Sequence, residues 1–457
     1  MNAAISPASF RDPAGFVFIN NGLLLRQVNL CHKDDYDCLM RSGLYDELLQ
    51  AQLLIPHREL EIAAPDPDHA YKIIEPDRIA FISYPYEWCF SQLKSAALAT
   101  LDIQRRAVAR GMSLKDCSSF NIQFVGLRPV LIDTLSLERY REGAPWTAYR
   151  QFCEHFLAPL ALMSKVDVRL AHLMRDFIDG IPIDLTSRLL PLRTRLNPRL
   201  LMHIHLHARA KIVYKAWRHG RVERKVSRNG LLGIVDSLRA AVSALKWQPH
   251  DLGWADYYAN NTYSDASMAE KKAIVSRYLD RVNPSAVWDI GSNRGDFSSI
   301  AGSRHARVIA FDSDFAAVER SYLGWSRTNE QGILPLVIDM ANPSPGIGWA
   351  NDERTAFLAR DPADTIMALA VVHHMVIASG IPLRKIASLF GKLCSSLIIE
   401  FVPKSDPQVR HMLSSRSDVF DDYTRAGFLD AFGDHFKIVS EDPIAGTDRV
   451  LFLMLRL

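Results

Sequence analysis

Residues 286–297, Ala-Val-Trp-Asp-Ile-Gly-Ser-Asn-Arg-Gly-Asp-Phe, decide the fold of the second half of the chain. The apolar run from Ala286 to Ile290 predicts a buried strand. A Gly291-x-x-x-Gly295 turn follows, and the residues after it predict the start of a helix. Glycine suits this turn because a ligand must approach the backbone closely and because φ is expected to be positive. Asp289 can accept hydrogen bonds beside the free N–H groups of the helix start.

Polar residues end each of the predicted strands that follow. The strand from Arg307 to Phe311 ends at Asp312, which lies 21 residues after Gly291. That separation suits an acid that holds both hydroxyls of a ribose in nucleotide-binding α/β units. Further strands are predicted at 334–338, before Asp339, at 365–372, before His373 and His374, and at 397–399, before Glu400. An open α/β sheet binds its ligand at the carboxyl ends of such strands.

The pattern Asp289-x-Gly291-x-x-x-Gly295, followed by Asp312 and Asp339, resembles the class I S-adenosylmethionine-dependent methyltransferases. The resemblance covers about Trp254 to Leu457. It implies a Rossmann-like sheet of seven strands, closed by an antiparallel pair near 436–439 and 449–455. The turn differs from the Gly-x-Gly-x-x-Gly fingerprint of dinucleotide-binding proteins, so hydride chemistry is the less expected reading.

The same resemblance implies S-adenosyl-L-methionine as the cofactor and assigns its contacts. In that family the glycine turn meets the methionine part, the acid after the second strand holds the ribose, and the acid after the third meets the adenine amine. These roles fall on Gly291 and Gly295, on Asp312 and on Asp339. The full predicted cofactor set is Asp289, Gly291, Ser292, Asn293, Gly295, Asp312, Asp339 and Met340.

Methyl transfer requires little beyond bringing the acceptor into line with the sulfonium carbon. A base is needed only when the accepting group carries a proton with a high pKa. His373 and His374 follow the fourth strand, and histidine titrates near neutrality, so both are catalytic candidates. The alternative is that one of them bonds a backbone carbonyl and orients the loop. Glu400 is expected to bind substrate or to pair with a histidine.

Aromatic residues near the predicted site are candidates to cover the cofactor. Tyr258 and Tyr263 precede the first helix of this half, and packing is an equal alternative for both. Trp349 follows a proline-stiffened loop after the third strand and is predicted to close over the adenine.

Composition narrows the class of protein. The 457 residues predict two or three domains, and 48% hydrophobic residues supply their cores. A net charge of +3 does not argue for nucleic acid, and the basic run Arg218–Arg228 is expected to be a solvated linker face. Six scattered cysteines indicate neither zinc nor a disulfide framework, which fits a cytoplasmic protein. We therefore expect a small-molecule substrate, with no nucleic acid and no membrane as partner.

The first half carries a second set of polar residues, Asp116, Asn121 and Asp133. In phosphoryl transfer an Asp orients the accepting hydroxyl, while an Asn and a second Asp hold magnesium on the nucleotide. The order of predicted elements over 16–190 begins with a hairpin at Asn20-Asn21-Gly22 and resembles the protein-kinase-like fold. The resemblance implies a catalytic Asp116, metal ligands Asn121 and Asp133, and Mg-ATP as a second ligand.

Departures from the kinase pattern leave phosphate transfer open. Leu114-Lys115 precedes Asp116 where His-Arg is usual, and Thr134-Leu135 follows the metal aspartate where Phe-Gly is usual. Arg26 stands where a phosphate-binding lysine is expected, and arginine is not a neutral replacement for lysine. The alternative is that Asp116 and Asn121 brace a loop by bonding backbone N–H groups.

The predicted layout is an α+β kinase-like domain at 1–220, a basic linker at 221–250 and an α/β methyltransferase domain at 251–457. The whole chain resembles a family of rhizobial nodulation proteins with this two-part layout, which implies a role in host-specific nodulation and leaves the substrate and oligomeric state open. The matching stretches are Tyr84–Trp88, Leu114–Asp116, Ile132–Ser136, Asp289–Phe297 and Ala368–His374.

The leading functional hypothesis is methylation of a small molecule. The alternatives are a phosphotransferase acting through the first half and a regulatory protein that binds the cofactor without turnover. Nucleic-acid methylation is less expected because no Asn-Pro-Pro motif follows the fourth strand.

Overall fold

The computed structural model describes residues 4–209, 225–249, 263–414 and 417–457. The chain divides into two compact units, of which the first comprises Met1–Gln248 and Gly346–Thr355 and the second comprises Pro249–Pro345 and Ala356–Leu457. The predicted boundaries at 220 and 250 themselves lie outside the described residues. Within the described ranges, every helix is too short or too polar to span a bilayer.

An antiparallel sheet of five strands opens the first unit, in the order β1-β2-β3-β5-β4. The predicted hairpin is confirmed, because Asn21 and Gly22 both have positive φ, at 49° and 80°, as a two-residue turn between twisted strands requires. The strands are β1 (Ala4–Ile5), β2 (Gly15–Asn20), β3 (Leu23–Asn29), β4 (His57–Leu60) and β5 (Ala70–Pro76).

Two helices lie between β3 and β4, namely α1 (Lys33–Arg41) and α2 (Leu44–Gln50). The hydrophobic spacing of residues 34–54 by itself predicts a single helix. Gly43 interrupts it with a φ of +76°, a left-handed conformation that glycine adopts without steric cost. The apolar run at 79–83 by itself predicts a strand, and this prediction is wrong, since no strand forms there.

The rest of the first unit is built on a long helix, α3 (Phe90–Ala109), whose buried face includes Leu93, Ala97 and Leu101. Two short antiparallel pairs follow, β6 with β9 and β7 with β8. Their bounds are β6 (Met112–Leu114), β7 (Ile122–Val125), β8 (Arg128–Leu131) and β9 (Leu137–Arg139). The helices after them are α4 (Tyr149–Phe152), α5 (Ala158–Lys165), α6 (Leu173–Asp176), α7 (Ile183–Leu189) and α8 (Pro198–Leu200).

The predicted linker at 221–250 is wrong over most of its described part. Helix α9 (Arg228–Ala244) belongs to the first unit and buries Val235 and Leu238. It is held to α3 by Lys94, whose ammonium donates to the carbonyls of Ser243 and Leu245 at 2.9 and 2.7 Å. Glycines near residue 230 indicated a linker, but the apolar face of α9 makes it part of the packed core.

A mixed sheet of seven strands forms the centre of the second unit, in the order β12-β11-β10-β13-β14-β16-β15. The first five strands in this order are parallel, and β16 runs antiparallel to both of its neighbours. The predicted Rossmann-like sheet of seven strands with its closing antiparallel pair is therefore confirmed. The strands are β10 (Ala286–Ile290), β11 (Arg307–Asp312), β12 (Ile333–Val337), β13 (Thr365–Ala368), β14 (Ser396–Phe401), β15 (Phe436–Pro443) and β16 (Val450–Arg456).

Among the described residues, one α-helix precedes β10, one α-helix each connects β10 to β11, β11 to β12 and β13 to β14, and two lie between β14 and β15. They are α10 (Asp265–Val282), α11 (Asp296–Gly302), α12 (Phe315–Thr328), α13 (Leu383–Leu393), α14 (Pro407–Leu413) and α15 (Arg425–Gly433). The chain leaves β10 on one side for β11 and β12 and returns on the other side for β13 and β14. The carboxyl ends of β10 and β13 therefore form a topological switch point, where ligands of open α/β sheets bind.

Candidate active site

A cavity of about 320 Å³ opens at this switch point in the second unit. Its volume lies at the lower end of the range of small-molecule sites. Seven of the eight predicted cofactor residues line it, all except Gly295. The lining residues are Tyr263, Met268, Lys271, Asp289, Ile290, Gly291, Ser292, Asn293, Phe297, Asp312, Ser313, Ile338, Asp339, Met340, Ala341, Leu369, Ala370, Val371, His374, Met375, Ala378 and Ser379.

The glycine turn after β10 forms one wall of the cavity. Gly291 has a φ of +68°, and a Cβ at this position would lie 2.5 Å from a methyl carbon of Val371, another lining residue. The backbone N–H groups of Gly291 and Ser292 both donate to the carbonyl of Phe311, at 2.9 and 3.1 Å. These bonds fix the turn to the end of β11 and leave the backbone exposed to a ligand.

Gly295 has a different role from the one predicted. Its φ of +79° agrees with the expected left-handed turn, but it does not line the cavity. A Cβ here would lie 2.1 Å from the indole ring of Trp325, on α12. Trp325 is buried and its indole N–H donates to Ser299 at 2.9 Å. The second glycine is therefore required by the packing of α12 against the turn.

Gly295→Ala is expected to destabilise the second unit by about 1–3 kcal/mol, because the added methyl group collides with a buried indole. Gly324→Ala is the matched control, since this glycine lies within α12 with nothing within 4 Å of its Cβ position. The control is expected to be stabilised by about 0.5–1 kcal/mol. Chemical denaturation of both variants measures the difference, and equal stabilities would contradict the packing role.

Asp312 lies at the end of β11 with its carboxylate at the cavity. One oxygen accepts the backbone N–H of Asn293 at 3.0 Å and the other accepts that of Asp314 at 2.9 Å. A carboxylate oxygen has lone pairs for more than one such bond, so both retain accepting capacity. Burial raises the pKa of Asp312 to about 6, against the opposing effect of the backbone hydrogen bonds. The group is thus ionised at neutral pH and able to accept hydroxyl protons.

Two further polar side chains lie at the turn. Asp289 is buried and accepts the hydroxyl of Ser298 at 2.5 Å, and burial raises its pKa to about 7. The side-chain carbonyl oxygen of Asn293 is buried and has no hydrogen-bond partner among the described residues. Because a buried acceptor without a partner costs free energy, this atom indicates that a ligand with a donor group belongs in the cavity.

Asp339 and Met340 follow β12 on the far side of the cavity. Asp339 is exposed, and its carboxylate accepts the backbone N–H of Ala341 at 2.8 Å. Met340 is buried beside it and adds an apolar surface. This pair offers a flat apolar contact with a hydrogen-bond acceptor at its edge, which fits an aromatic ring that carries an amine.

The structure separates the two candidate histidines. His374 lines the cavity, whereas His373 is fully buried and does not line it. Their ring centroids lie 4.1 Å apart. Neither ring nitrogen of His373 has a hydrogen-bond partner in the described part of the chain. Burial lowers the pKa of His374 to about 4 and that of His373 well below its ordinary value, so both are neutral at pH 7.

Among the described residues, Glu400 pairs with cations and not with a histidine. It is fully buried, and its carboxylate lies 2.6 Å from the ammonium of Lys271 and 3.5 Å from the guanidinium of Arg449. The hydroxyl of Tyr263 also donates to it. Arg449 forms a second pair with buried Asp406 at 2.7 Å. Burial lowers the pKa of Lys271, and Glu400 opposes that shift.

Lys271 is a cavity residue that the sequence analysis missed. It shares a face of α10 with Ser267, Ile274, Val275 and Tyr278, all of them buried. A lysine at a core position of a helical repeat is a readable signal of a buried charge with a partner elsewhere. Its partner lies 129 residues further along the chain.

The predicted aromatic covers have different outcomes. Tyr263 lines the cavity, with the ammonium of Lys271 4.9 Å from its ring centroid. Tyr258 lies outside the described residues. Trp349 belongs to the first unit, is 76% exposed and is not among the lining residues. Its segment is held there by Glu353, which accepts two hydrogen bonds from Arg11 at 2.6 and 3.0 Å.

The predicted phosphotransfer residues of the first unit lie together, but their charges are already engaged. Asp133 is 2.6 Å from the guanidinium of Arg26 on β3 and accepts the backbone N–H of Leu135 at 2.9 Å. Burial raises the pKa of Asp133, and the Arg26 pair outweighs this and lowers it. Asp116 accepts the backbone N–H of Ser118 at 2.8 Å and a bond from Asn121. Within the described ranges, no three His, Cys, Asp or Glu side chains are placed to share a metal ion.

The comparison with curated proteins decides the family. The chain is 33% identical to nodulation protein NoeA of Rhizobium meliloti (strain 1021) over 466 aligned residues, which cover 98% of this chain and 95% of NoeA. The chain belongs to the NoeA family. No model of a protein family matches it. The kinase-like fold of the first unit of this NoeA relative stays a prediction.

Solved structures similar to this NoeA relative include several methyltransferases. N-methyltransferase NodS from Bradyrhizobium japonicum WM9 is 15% identical with a TM-score of 0.32, over 42% of this chain and 98% of NodS. Magnesium protoporphyrin IX methyltransferase from Synechocystis PCC 6803 with bound SAH is 15% identical with a TM-score of 0.33, over 45% and 92% of the two chains. The bifunctional kinase-methyltransferase WbdD is 15% identical with a TM-score of 0.30, over 45% and 43%.

Proposed function

We propose that the second unit binds S-adenosyl-L-methionine and transfers its methyl group to a small molecule. The observation that carries this proposal is the placement of Asp312 at the carboxyl end of β11, beside the switch point of the seven-stranded sheet, with free accepting capacity on both oxygens. A ribose presents two adjacent hydroxyl donors, which a carboxylate in this position accepts.

The cavity fits the cofactor on grounds independent of the family. The unpartnered oxygen of Asn293 requires a donor, which a hydroxyl or amine of the nucleoside supplies. The turn at Gly291, which its φ of +68° and its contact with Val371 restrict to glycine, brings the backbone to the cavity wall. Met340 and Asp339 offer an apolar surface and an acceptor for a purine and its amine.

When bound, S-adenosyl-L-methionine supplies an electrophilic methyl group on a sulfonium. The chain's own contribution is to position the acceptor and exclude water. His374 lies at the cavity wall and is neutral at pH 7, since burial lowers its pKa to about 4. A base this weak removes a proton only from an acceptor that becomes acidic as the new bond forms. His373 does not reach the cavity, and we assign the candidate catalytic role to His374 alone.

Equilibrium binding tests the proposal directly. Calorimetry of the full chain is expected to show one saturable site for S-adenosylmethionine and for S-adenosylhomocysteine, and none for NAD, since the turn lacks the dinucleotide fingerprint. Absence of saturable binding of both sulfur nucleosides would refute the proposal. Turnover without an identified acceptor can be followed as transfer of a labelled methyl group into a cell extract, and tight binding without transfer would favour the regulatory alternative.

Cofactor affinity is expected to fall as pH decreases through about 6. The pKa of Asp312 is raised to about 6, and only its deprotonated form accepts both ribose hydroxyls. At pH 5 about one-tenth of the groups stay ionised, so affinity is expected to decrease by at most about tenfold relative to pH 7.5. Titration calorimetry across this range checks the result. Asp312→Asn cannot titrate and is the control, and an equal pH dependence in that variant would contradict the assignment.

The phosphotransferase alternative is less well supported. Asp133 would have to exchange the Arg26 guanidinium for magnesium, and this pair is 2.6 Å long and largely shielded from water. Calorimetry with Mg-ATP and the Asp133→Ala variant distinguishes the two ideas. Saturable Mg-ATP binding that depends on Asp133 would restore the alternative.

We also propose that this chain acts in nodulation, as its relative NoeA is named for. The support is the alignment of almost the whole length of both chains. Disruption of the gene is expected to alter nodulation on some legume hosts and to leave free-living growth unchanged. Restoration by the wild-type gene, but not by a variant defective in cofactor binding, would connect this role with methylation.

A further inference from the structure

A cationic and apolar surface lies on the first unit, far along the chain from the methyltransferase cavity. Between Asp184 and Glu223 the sequence contains nine Lys or Arg residues and no acid. The described part of this stretch exposes five arginines and five large apolar side chains. We call this set the 188–209 surface: Arg188, Leu189, Leu192, Arg193, Arg195, Leu196, Arg199, Met202, Leu206 and Arg209.

One histidine joins the segments that carry this surface. His205 bonds the hydroxyl of Ser187 on α7 at 2.8 Å and that of Thr194 in the 3-10 helix Leu192–Leu196 at 2.9 Å. His205 itself is buried in the π-helix Leu201–Leu206. Both Arg195 and Arg209 lie close enough to its ring to lower its pKa, although burial is the larger cause. The three helical segments that carry most of the exposed residues are therefore joined by the hydrogen bonds of His205.

The exposed apolar side chains are unusual in size and number. Leu192 and Leu196 are 73% and 86% exposed, and Met202 and Leu206 add two more apolar side chains one helical turn apart. Isolated exposed leucines need no explanation, but several in one short segment that also exposes five arginines indicate an interaction site. None of the five arginines forms an ion pair within the described ranges, so their charge is available to a partner.

We propose that the 188–209 surface binds peripherally to membranes that contain anionic lipids. Leucine and methionine side chains enter the boundary between headgroups and acyl chains, while arginines contact lipid phosphates. Nucleic acid would use the arginines but gives no favourable site for exposed leucine, and this surface exposes no aromatic ring on which a base could stack. A symmetric contact with a second copy would bring arginines against arginines.

This binding was not expected from composition, because a net charge of +3 conceals the local imbalance. It is independent of the methyltransferase proposal, since none of its residues lines the cavity. Its effect would be to hold the protein at a lipid surface by side chains, without a segment that crosses the bilayer.

Vesicle sedimentation of the full chain tests the proposal. We expect binding to vesicles of equal parts phosphatidylglycerol and phosphatidylcholine, little binding to phosphatidylcholine alone, and weaker binding at high salt. The double variant Leu192→Glu with Leu196→Glu is expected to bind roughly tenfold less. The matched control is Leu23→Glu with Leu30→Glu, two exposed leucines of the same unit outside this surface, which is expected to bind as the wild type does.

A second variant, Arg193→Ala with Arg195→Ala, removes two of the five exposed arginines and is expected to lose roughly two-fifths of the salt dependence. It decides the result if the leucine variant fails to fold by circular dichroism. Equal binding of the Leu192/Leu196 variant and the control would overturn the proposal. So would absence of binding to anionic vesicles. Binding to RNA but not to vesicles, or a dimer by light scattering that the Leu192/Leu196 variant dissociates, would also overturn it and would assign the surface to that partner instead.

Discussion

Glu400→Gln is expected to destabilise the second unit by about 3–5 kcal/mol, because it removes one partner from a buried group of charges. The carboxylate is fully buried and lies 2.6 Å from Lys271 and 3.5 Å from Arg449. Glutamine keeps the volume but leaves the ammonium of Lys271 without a counter-charge in the core. The loss is measured as the free energy of unfolding from urea titrations.

Three further variants show how much of that loss comes from the unpaired charge of Lys271. Asp430→Asn removes one partner of an exposed pair with Arg384 and is expected to change stability by less than about 1 kcal/mol. Glu400→Gln combined with Lys271→Met removes both charges and is expected to recover part of the loss, whereas no recovery would contradict the pairing. Glu400→Asp retains the charge on a shorter side chain and separates geometry from electrostatics.

The stability of Glu400→Gln is also expected to depend on pH differently from that of the wild type. The pKa of Lys271 is already lowered in the folded protein by burial, so the unfolded chain binds the proton more tightly than the folded one. Loss of Glu400 lowers this pKa further. The free energy of unfolding of Glu400→Gln is therefore expected to rise with pH, over a window that extends to lower pH than in the wild type.

The parallel strands of the second unit were largely predictable from the sequence. The strand predicted at Ala286–Ile290 is found with the same bounds, and that predicted at Arg307–Phe311 extends by one residue to Asp312. Buried parallel strands consist of short apolar runs that end at a turn, and that signal is local. The strand predicted at 365–372 ends at Ala368, because apolar residues also continue into the helical turn that buries Val372 and Met375.

The first unit was less predictable where glycine had two interpretations. Gly43 ends a helix that the hydrophobic spacing continued, whereas Gly230 and Gly233 lie inside or at the start of a helix that the sequence analysis treated as a linker. The difference is tertiary, because α9 buries an apolar face and Gly43 lies at a partly exposed turn. Propensity alone does not distinguish these cases.

The site residues that local sequence patterns indicate were predictable, but their contacts with distant parts of the chain were not. Residues at strand ends were found from their order, so Gly291, Asp312 and His374 reach one cavity as expected. Contacts between distant segments were not predictable: Glu400 was expected to bind substrate or to pair with a histidine, and it pairs with Lys271. Gly295 has the expected φ, but the group close to it is the ring of Trp325. A sequence shows that a residue needs a close neighbour without showing which neighbour it is.

Asp312→Ala is expected to weaken S-adenosylmethionine binding by about 1.5–3 kcal/mol, which is about 10- to 150-fold in affinity. The carboxylate is the acceptor placed for the ribose, and alanine leaves both hydroxyls without a charged partner. Calorimetry of the full chain measures the loss. Asp296→Asn is the control. Asp296 is the first residue of α11, pairs with Lys272 of α10 at 2.7 Å and does not line the cavity, so its substitution should leave the affinity unchanged.

Asp312 also holds the backbone N–H groups of Asn293 and Asp314, so a loss of affinity in the alanine variant has two sources. Asp312→Asn separates them, because its amide oxygen still accepts a backbone bond but carries no charge. If the negative charge that Asp312 presents to the ribose hydroxyls dominates, the asparagine variant loses nearly as much affinity as the alanine variant. Its free energy of unfolding then stays closer to that of the wild type. If the turn geometry dominates, asparagine restores binding. Wild-type affinity in both variants would mean that the nucleoside is held elsewhere, and the carboxyl end of β11 would no longer support methyl transfer as the function.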